Sequence, residues 1–214
     1  MKIISLIGIG AVIGFVIRQL VNWLSIEEYR IQRGNLLLEA INIISVVWSF
    51  QNFPLHEAFI FSLIVAVLTG ISIIDYNTFE IPILFIAMGI IFAIFGVVFD
   101  VITLYAALWG VFVGAVLPMI IVGMLWLVTK RQGMGYGDIQ LGIVLGAWLG
   151  PMRMALTLFV ASLMSLLAWI LVSLLRGFDR DRAMPFGPFL SFAGTGIYIG
   201  SFYYPEFFYL LILR

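Results

Sequence analysis

Apolar runs separated by short polar breaks dominate the chain, and their lengths predict helices rather than strands. A membrane-crossing helix needs about 20 predominantly apolar residues. Eight segments approach that rule: 3–24, 36–53, 58–75, 81–99, 101–128, 139–150, 152–175 and 187–204. The second carries Glu39 and Asn42 inside its apolar pattern, and the sixth is short. The pattern therefore predicts an all-α, polytopic integral membrane helix bundle of about eight spans, with six to eight compatible. The fifth segment exceeds one crossing and contains Pro118, which predicts a tilt, a kink or a projecting turn.

Composition agrees with the bilayer. Of 214 residues, 64% are hydrophobic and 10% charged, whereas roughly 25% is usual for soluble domains. Net charge is zero and no basic run suggests a nucleic-acid partner. Cysteine is absent, which removes disulfides and cysteine-ligated zinc, and the lone His56 builds no metal site by itself. No metal or other cofactor is expected. Lys2 precedes an apolar run with no small-residue cleavage site and polar sequence after it, so the first segment is expected to be retained. One membrane domain over 1–214 is the expected organisation, with the lipid bilayer as its surroundings.

Lysine and arginine placement predicts orientation. With the N-terminus extracytoplasmic, cytoplasmic loops hold Arg30, Arg33, Lys130, Arg131, Arg176, Arg180 and Arg182, against Lys2, Arg153 and Arg214 opposite. Arg18 lies within the first span, near its cytoplasmic end. Asp75 and Asp138 then fall on the cytoplasmic side of a cytoplasmic (inner) membrane.

Those two carboxylates are the candidate chemistry. Asp138 follows three alternating glycines, Gly133, Gly135 and Gly137, at the mouth of an apolar run. An ionisable group at membrane depth is a functional-site candidate when a partner can be named. Asp75, at the end of the third segment, is that partner. The bland alternatives are an N-cap for Asp138 and loop shaping for Asp75, because Asp-Tyr-Asn-Thr is good turn chemistry. The run from Ile139 to Leu149 would rise only about 16 Å, roughly half the hydrocarbon core. Either the span absorbs Gly150-Pro151, or Asp138 lies below the membrane surface in a polar cavity. Two close carboxylates share one proton, the arrangement with which an aspartyl protease activates water and protonates a carbonyl. The glycines suit close approach of an extended peptide, or tight helix packing.

Other positions have two readings each. Glu39 snorkels or pairs with a nearby arginine, or it lines the same polar cavity as the aspartates. Pro82 suits the start of the fourth helix. Pro185-Phe186-Gly187-Pro188 forms a rigid entry to the last segment, or an extended approach whose carbonyls line a cleft. The aromatic tail from Phe202 to Tyr209 reads as an interfacial anchor.

Gly135-Tyr136-Gly137-Asp138, Asp75 with Pro82 seven positions on, and Pro185-Phe186-Gly187-Pro188 together resemble the type IV prepilin peptidases, of the GxGD class of membrane aspartyl proteases. The stretch LLLEAINII around Glu39 is similar to that family's second span. The resemblance implies Asp75 and Asp138 as the catalytic pair, with Gly133, Gly135, Tyr136, Gly137, Gln140, Pro82, Glu39 and the Pro185–Pro188 segment supporting or binding substrate. It also implies a prepilin or pseudopilin substrate, cut at the cytoplasmic face after a short basic leader, in service of a type IV pilus or a secretion system.

Three departures qualify the likeness. Many family members carry two Cys-x-x-Cys pairs between the first two spans, and this chain has no cysteine and a loop of roughly 11 residues. The N-methyltransferase activity of bifunctional relatives is put in doubt. Gln140 stands where the family often has lysine, which implies a shifted pH optimum. Two readings compete: a proton-coupled transporter or channel using Asp75, Asp138 and Glu39 as a relay, and a related protease of preflagellin or presenilin-like type. A purely structural membrane subunit would leave the glycine loop unexplained.

Overall fold

A computed structural model describes residues 3–32, 34–130, 135–179 and 182–212. Gly133, and the loop or terminal cations Lys2, Arg33, Arg131, Arg180 and Arg214, lie outside the described residues. Helices account for every apolar segment: α1 (Ile3–Leu24), α2 (Leu37–Asn52), α3 (Leu55–Thr78), α4 (Ile83–Val98), α5 (Leu104–Val111), α6 (Leu117–Thr129), α7 (Tyr136–Leu149), α8 (Pro151–Arg176), α9 (Gly187–Tyr203) and α10 (Pro205–Ile212). No strand occurs among the described residues.

Four helices are long and apolar enough to cross a membrane: Ile3–Leu24, Leu55–Thr78, the continuous segment Leu104–Thr129, and Pro151–Arg176. The expected eight is not reached on that measure. At 1.5 Å per residue, the 14 to 17 residues of α2, α4, α7 and α9 rise roughly 21–26 Å, short of a hydrocarbon core of about 30 Å. In α2, Glu39 and Asn42 also lower the apolar content.

The chain divides into two compact units, residues 1–105 and 106–214. In the first, α1, α2, α3 and α4 pack successively, and α3 is the central element, burying most of its length. Small residues on α1 let the backbones touch: a Cβ on Gly10 would lie 2.5 Å from the Ile43 Cα, and one on Gly14 2.5 Å from the Glu39 Cα. Within a bilayer apolar surface alone does not favour helix association, so close backbone approach and interhelical hydrogen bonds carry it.

The second unit is organised by a crossing of paired glycines. Gly110 and Gly114 on one side meet Gly146 and Gly142 of α7 on the other, and a Cβ at any of the four would overlap the opposing backbone. The turn joining α5 to α6, Phe112–Val116, is a π-helix in which the Leu117 N–H bonds the Phe112 carbonyl. Pro118 is the cause we assign, because it has no N–H for the Gly114 carbonyl four residues earlier. That carbonyl is the one against which Gly142 packs. The expected kink of the fifth segment thus takes the form of a π-bulge.

Candidate active site

In the first unit, Asp75 occupies the last turn of α3, which runs on to Thr78. Its carbonyl accepts the Phe79 N–H at 2.9 Å, and Phe79 ends the helix with φ 56°. The turn therefore falls at 79–82, not at Asp-Tyr-Asn-Thr. The Asp75 side chain is only 5% exposed, whereas a carboxylate that merely shaped a loop would face water. Thr78 Oγ1 donates to the Ile74 carbonyl at 2.9 Å and accepts from the Glu80 N–H at 3.4 Å, closing the helix end. Pro82 is the N-cap of α4, with its carbonyl accepting from the Phe85 and Ile86 amides.

The same unit resolves Glu39. Its Oε1 lies 3.0 Å from Arg18 Nη2, the arginine-pairing reading. No well-aligned hydrogen bond reaches either Glu39 oxygen among the described residues, so charge and proximity carry the contact.

In the second unit, the local sequence explains how Asp138 is aimed. Gly135 is the N-cap of α7 in an extended conformation, which makes Asp138 the third helical residue rather than the N-cap itself. A Cβ on Gly135 would lie 3.1 Å from Asp138 Oδ2, so the carboxylate turns back over the helix start. There the helix dipole favours an anion and backbone amides lack intrahelical partners. The helix ends at Gly150 with φ 77°, and Pro151 begins α8. The sixth segment therefore does not absorb Gly150-Pro151, which leaves Asp138 at the mouth of a short helix.

Asp138, Gly142 and Gly146 recur every four residues and share one face of α7. Continuing the glycine crossing by one turn brings Asp138 level with Pro118. Both line a cavity of about 1210 Å³. Apolar side chains of Val113, Leu117, Ile121, Leu158, Phe159 and Trp169 form much of its wall. Ser162, Ser165, Arg182 and Asp138 supply polar side chains. Phe186 of the second proline–glycine motif lines it as well, so Gly135, Asp138 and Phe186 are brought together.

The remaining expected positions are peripheral to that cavity. Tyr136 is exposed, Gly137 and Gln140 are half-buried, and so are Pro185 and Pro188. Gly187 is buried at the first position of α9. Pro118, Ser162, Ser165, Trp169 and Arg182 were not foreseen as site residues. Their signal in the sequence was weak, since hydroxyls and an aromatic within apolar helix are usual in membrane proteins. The first unit thus holds a buried carboxylate, Asp75, and the second a carboxylate, Asp138, at a largely apolar cavity.

The type IV leader peptidase family model matches residues 59–172. Relatives named prepilin leader peptidase/N-methyltransferase include proteins of Pseudomonas aeruginosa, Aeromonas salmonicida and Pseudomonas putida. The first is 37% identical over 102 residues, covering 48% of this chain and 30% of the relative. The second is 35% identical over 103 residues, covering 46% and 35%. The third is 34% identical over 131 residues, covering 59% and 44%. The matched stretches thus span less than half the length of these relatives. No solved structure matches.

Proposed function

Because the chain belongs to the type IV leader peptidase family, we propose that it is a membrane aspartyl endopeptidase that removes the leader from type IV prepilins or pseudopilins. The observation that carries this reading is Asp138, aimed by Gly135 into a cavity that is otherwise largely apolar. The family match also contains both aspartates.

Asp75 and Asp138 are the catalytic pair in this proposal, sharing one proton across a water molecule. The ionised member takes a proton from the attacking water, and the protonated member donates to the scissile carbonyl oxygen. Asp138, at a helix N-terminus, sits where the dipole favours the anion, and Asp75, in a last turn, sits where it does not. That asymmetry suits Asp138 as the base. Phe186 and the wall of α8 would hold the residues flanking the scissile bond, with Gly135 and Gly137 leaving room for an extended backbone.

The proposal retains all eight segments as crossings of the inner membrane, the N-terminus extracytoplasmic and both aspartates near the cytoplasmic face. Substrate leaders are then met where basic residues remain in the cytoplasm. Both units together make one peptidase domain. The transporter alternative is disfavoured, since the family and the relatives are named as peptidases.

The test is cleavage of a panel of prepilin leader substrates by the purified protein in detergent, read by product mass. A single cut at one leader junction supports the proposal. No cut in any substrate, under conditions where a relative cleaves, rejects it.

A further inference from the structure

Arg18 and Glu39 form an ion pair between α1 and α2, 3.0 Å apart, with side chains 13% and 11% exposed. The proposed reaction uses neither. Gly10, Gly14 and Arg18 recur every four residues on one face of α1. The two glycines bring that face against the α2 backbone at Ile43 and Glu39, and the guanidinium follows one turn on.

A seam of polar contacts joins α2 to α3. Ser49 and Ser62 are hydrogen-bonded at 2.9 Å. Asn42 Nδ2 donates to the Leu38 carbonyl at 2.8 Å and approaches Thr69 Oγ1 at 3.5 Å. These two rungs fix an antiparallel register, and continuing it sets Glu39 level with Ser72, less than one turn before Asp75. On the neighbouring face, α1 meets α3 at the same height: a Cβ on Gly70 would lie 3.1 Å from Ile17 Cγ2.

We propose that Arg18 and Glu39 are positioning residues that set the rotation and height of the last turns of α3, and so place the Asp75 carboxylate. This rests on the reading of Asp75 as a catalytic residue. Apolar helix faces in a bilayer slide and rotate against one another with little energetic preference, because lipid is as apolar as leucine. A charge pair in a low-dielectric seam loses attraction as its ends separate, which disfavours registers that move Glu39 away from Arg18. Buried pairs of this kind are poor sources of stability relative to packed hydrophobes, and fixing a register is the best attested reason for having one. Misplacing a reacting group by about 1 Å costs roughly a hundredfold in rate, so the pair should be visible in kcat.

The test uses the full chain and a leader substrate that wild type cuts. In the double variant Arg18→Met, Glu39→Leu, apolar side chains of similar volume replace the pair. Its Tm should stay at or above that of wild type, with KM unchanged and kcat at least tenfold lower. The exchanged variant Arg18→Glu, Glu39→Arg should recover most of kcat. A stable apolar variant that cuts at the wild-type rate would overturn the proposal. If the apolar variant does not fold, the exchange decides: recovery of kcat supports positioning, while a slow or unfolded exchange marks the pair as structural only. Asp75→Asn is measured alongside. Retained cleavage there would fault the underlying reading. Its loss, with a fully active apolar variant, would remove only the positioning role.

Discussion

Adding one methyl group at Gly142 tests how the second unit holds Asp138. A Cβ at Gly142 falls against the Gly114 carbonyl oxygen, short by more than about 1 Å of ordinary van der Waals contact. Backbone offers no rotamer through which to yield, so α7 and the α5–α6 segment must separate by roughly that distance. Overpacking of this kind costs about 1–3 kcal/mol. In an unconstrained helix, glycine to alanine would instead gain about 0.5–1 kcal/mol. The sign is therefore diagnostic. Gly142→Ala should lower Tm by roughly 2–12 °C, taking about 2–4 °C per kcal/mol for a chain of this size. Gly196→Ala, where no atom lies within 4 Å of the added Cβ, should leave Tm unchanged or raise it. Asp138 is one turn from Gly142 on the same face and moves with it. A shift of about 1 Å then predicts a loss near a hundredfold in kcat. Thermal unfolding and leader-cleavage kinetics in one detergent read both effects. Wild-type Tm and kcat in Gly142→Ala would refute the crossing, and with it the aiming of Asp138.

Three further outcomes follow from named contacts. Gly70→Ala puts a Cβ 2.5 Å from Phe85 Cε1, so it should destabilise by about 1–3 kcal/mol, and adding Phe85→Leu should restore part of the Tm; absence of rescue would show that the clash lies elsewhere. Ser165→Trp fills part of the cavity beside Asp138 and should raise KM or abolish cleavage while Tm stays within a few degrees; undiminished cleavage would exclude this cavity as the substrate seat. Gln140 is two positions from Asp138 on α7 and so faces away from it, which leaves a cation there only a weak, longer-range influence; Gln140→Lys should move the acidic limb of the rate profile little, and toward lower pH if at all, and a large shift would refute that placement.

The helices were legible because lipid-compatible segments are long apolar runs, and the elements follow those runs to within three residues at almost every end. Asp75 and Asp138 were legible because carboxylates are costly in such runs. What the sequence did not disclose were relations between distant runs. Gly110-x-x-x-Gly114 and Gly142-x-x-x-Gly146 each look like ordinary small residues until they are seen to meet. The glycines before Asp138 drew attention for close approach of a peptide or of another helix, yet Gly135 serves as an extended N-cap beneath the carboxylate. Arg18 and Glu39 were each visible as charges inside apolar segments, and the four-residue spacing of Gly10, Gly14 and Arg18 was the available sign that α1 would deliver one to the other. Asp-Tyr-Asn-Thr misled because turn propensity is weak against the hydrogen bonds of an already formed helix end.

The central claim is that Asp75 and Asp138 work as one acid–base pair. Cleavage of a leader substrate by wild type, Asp75→Asn and Asp138→Asn, each confirmed folded by its Tm, tests it most directly. Asparagine keeps the size and removes the proton chemistry. Each single substitution should abolish cutting, by at least about a thousandfold, because removing either member of a unit disables the whole. A single variant that still cuts within about tenfold of wild type would contradict it.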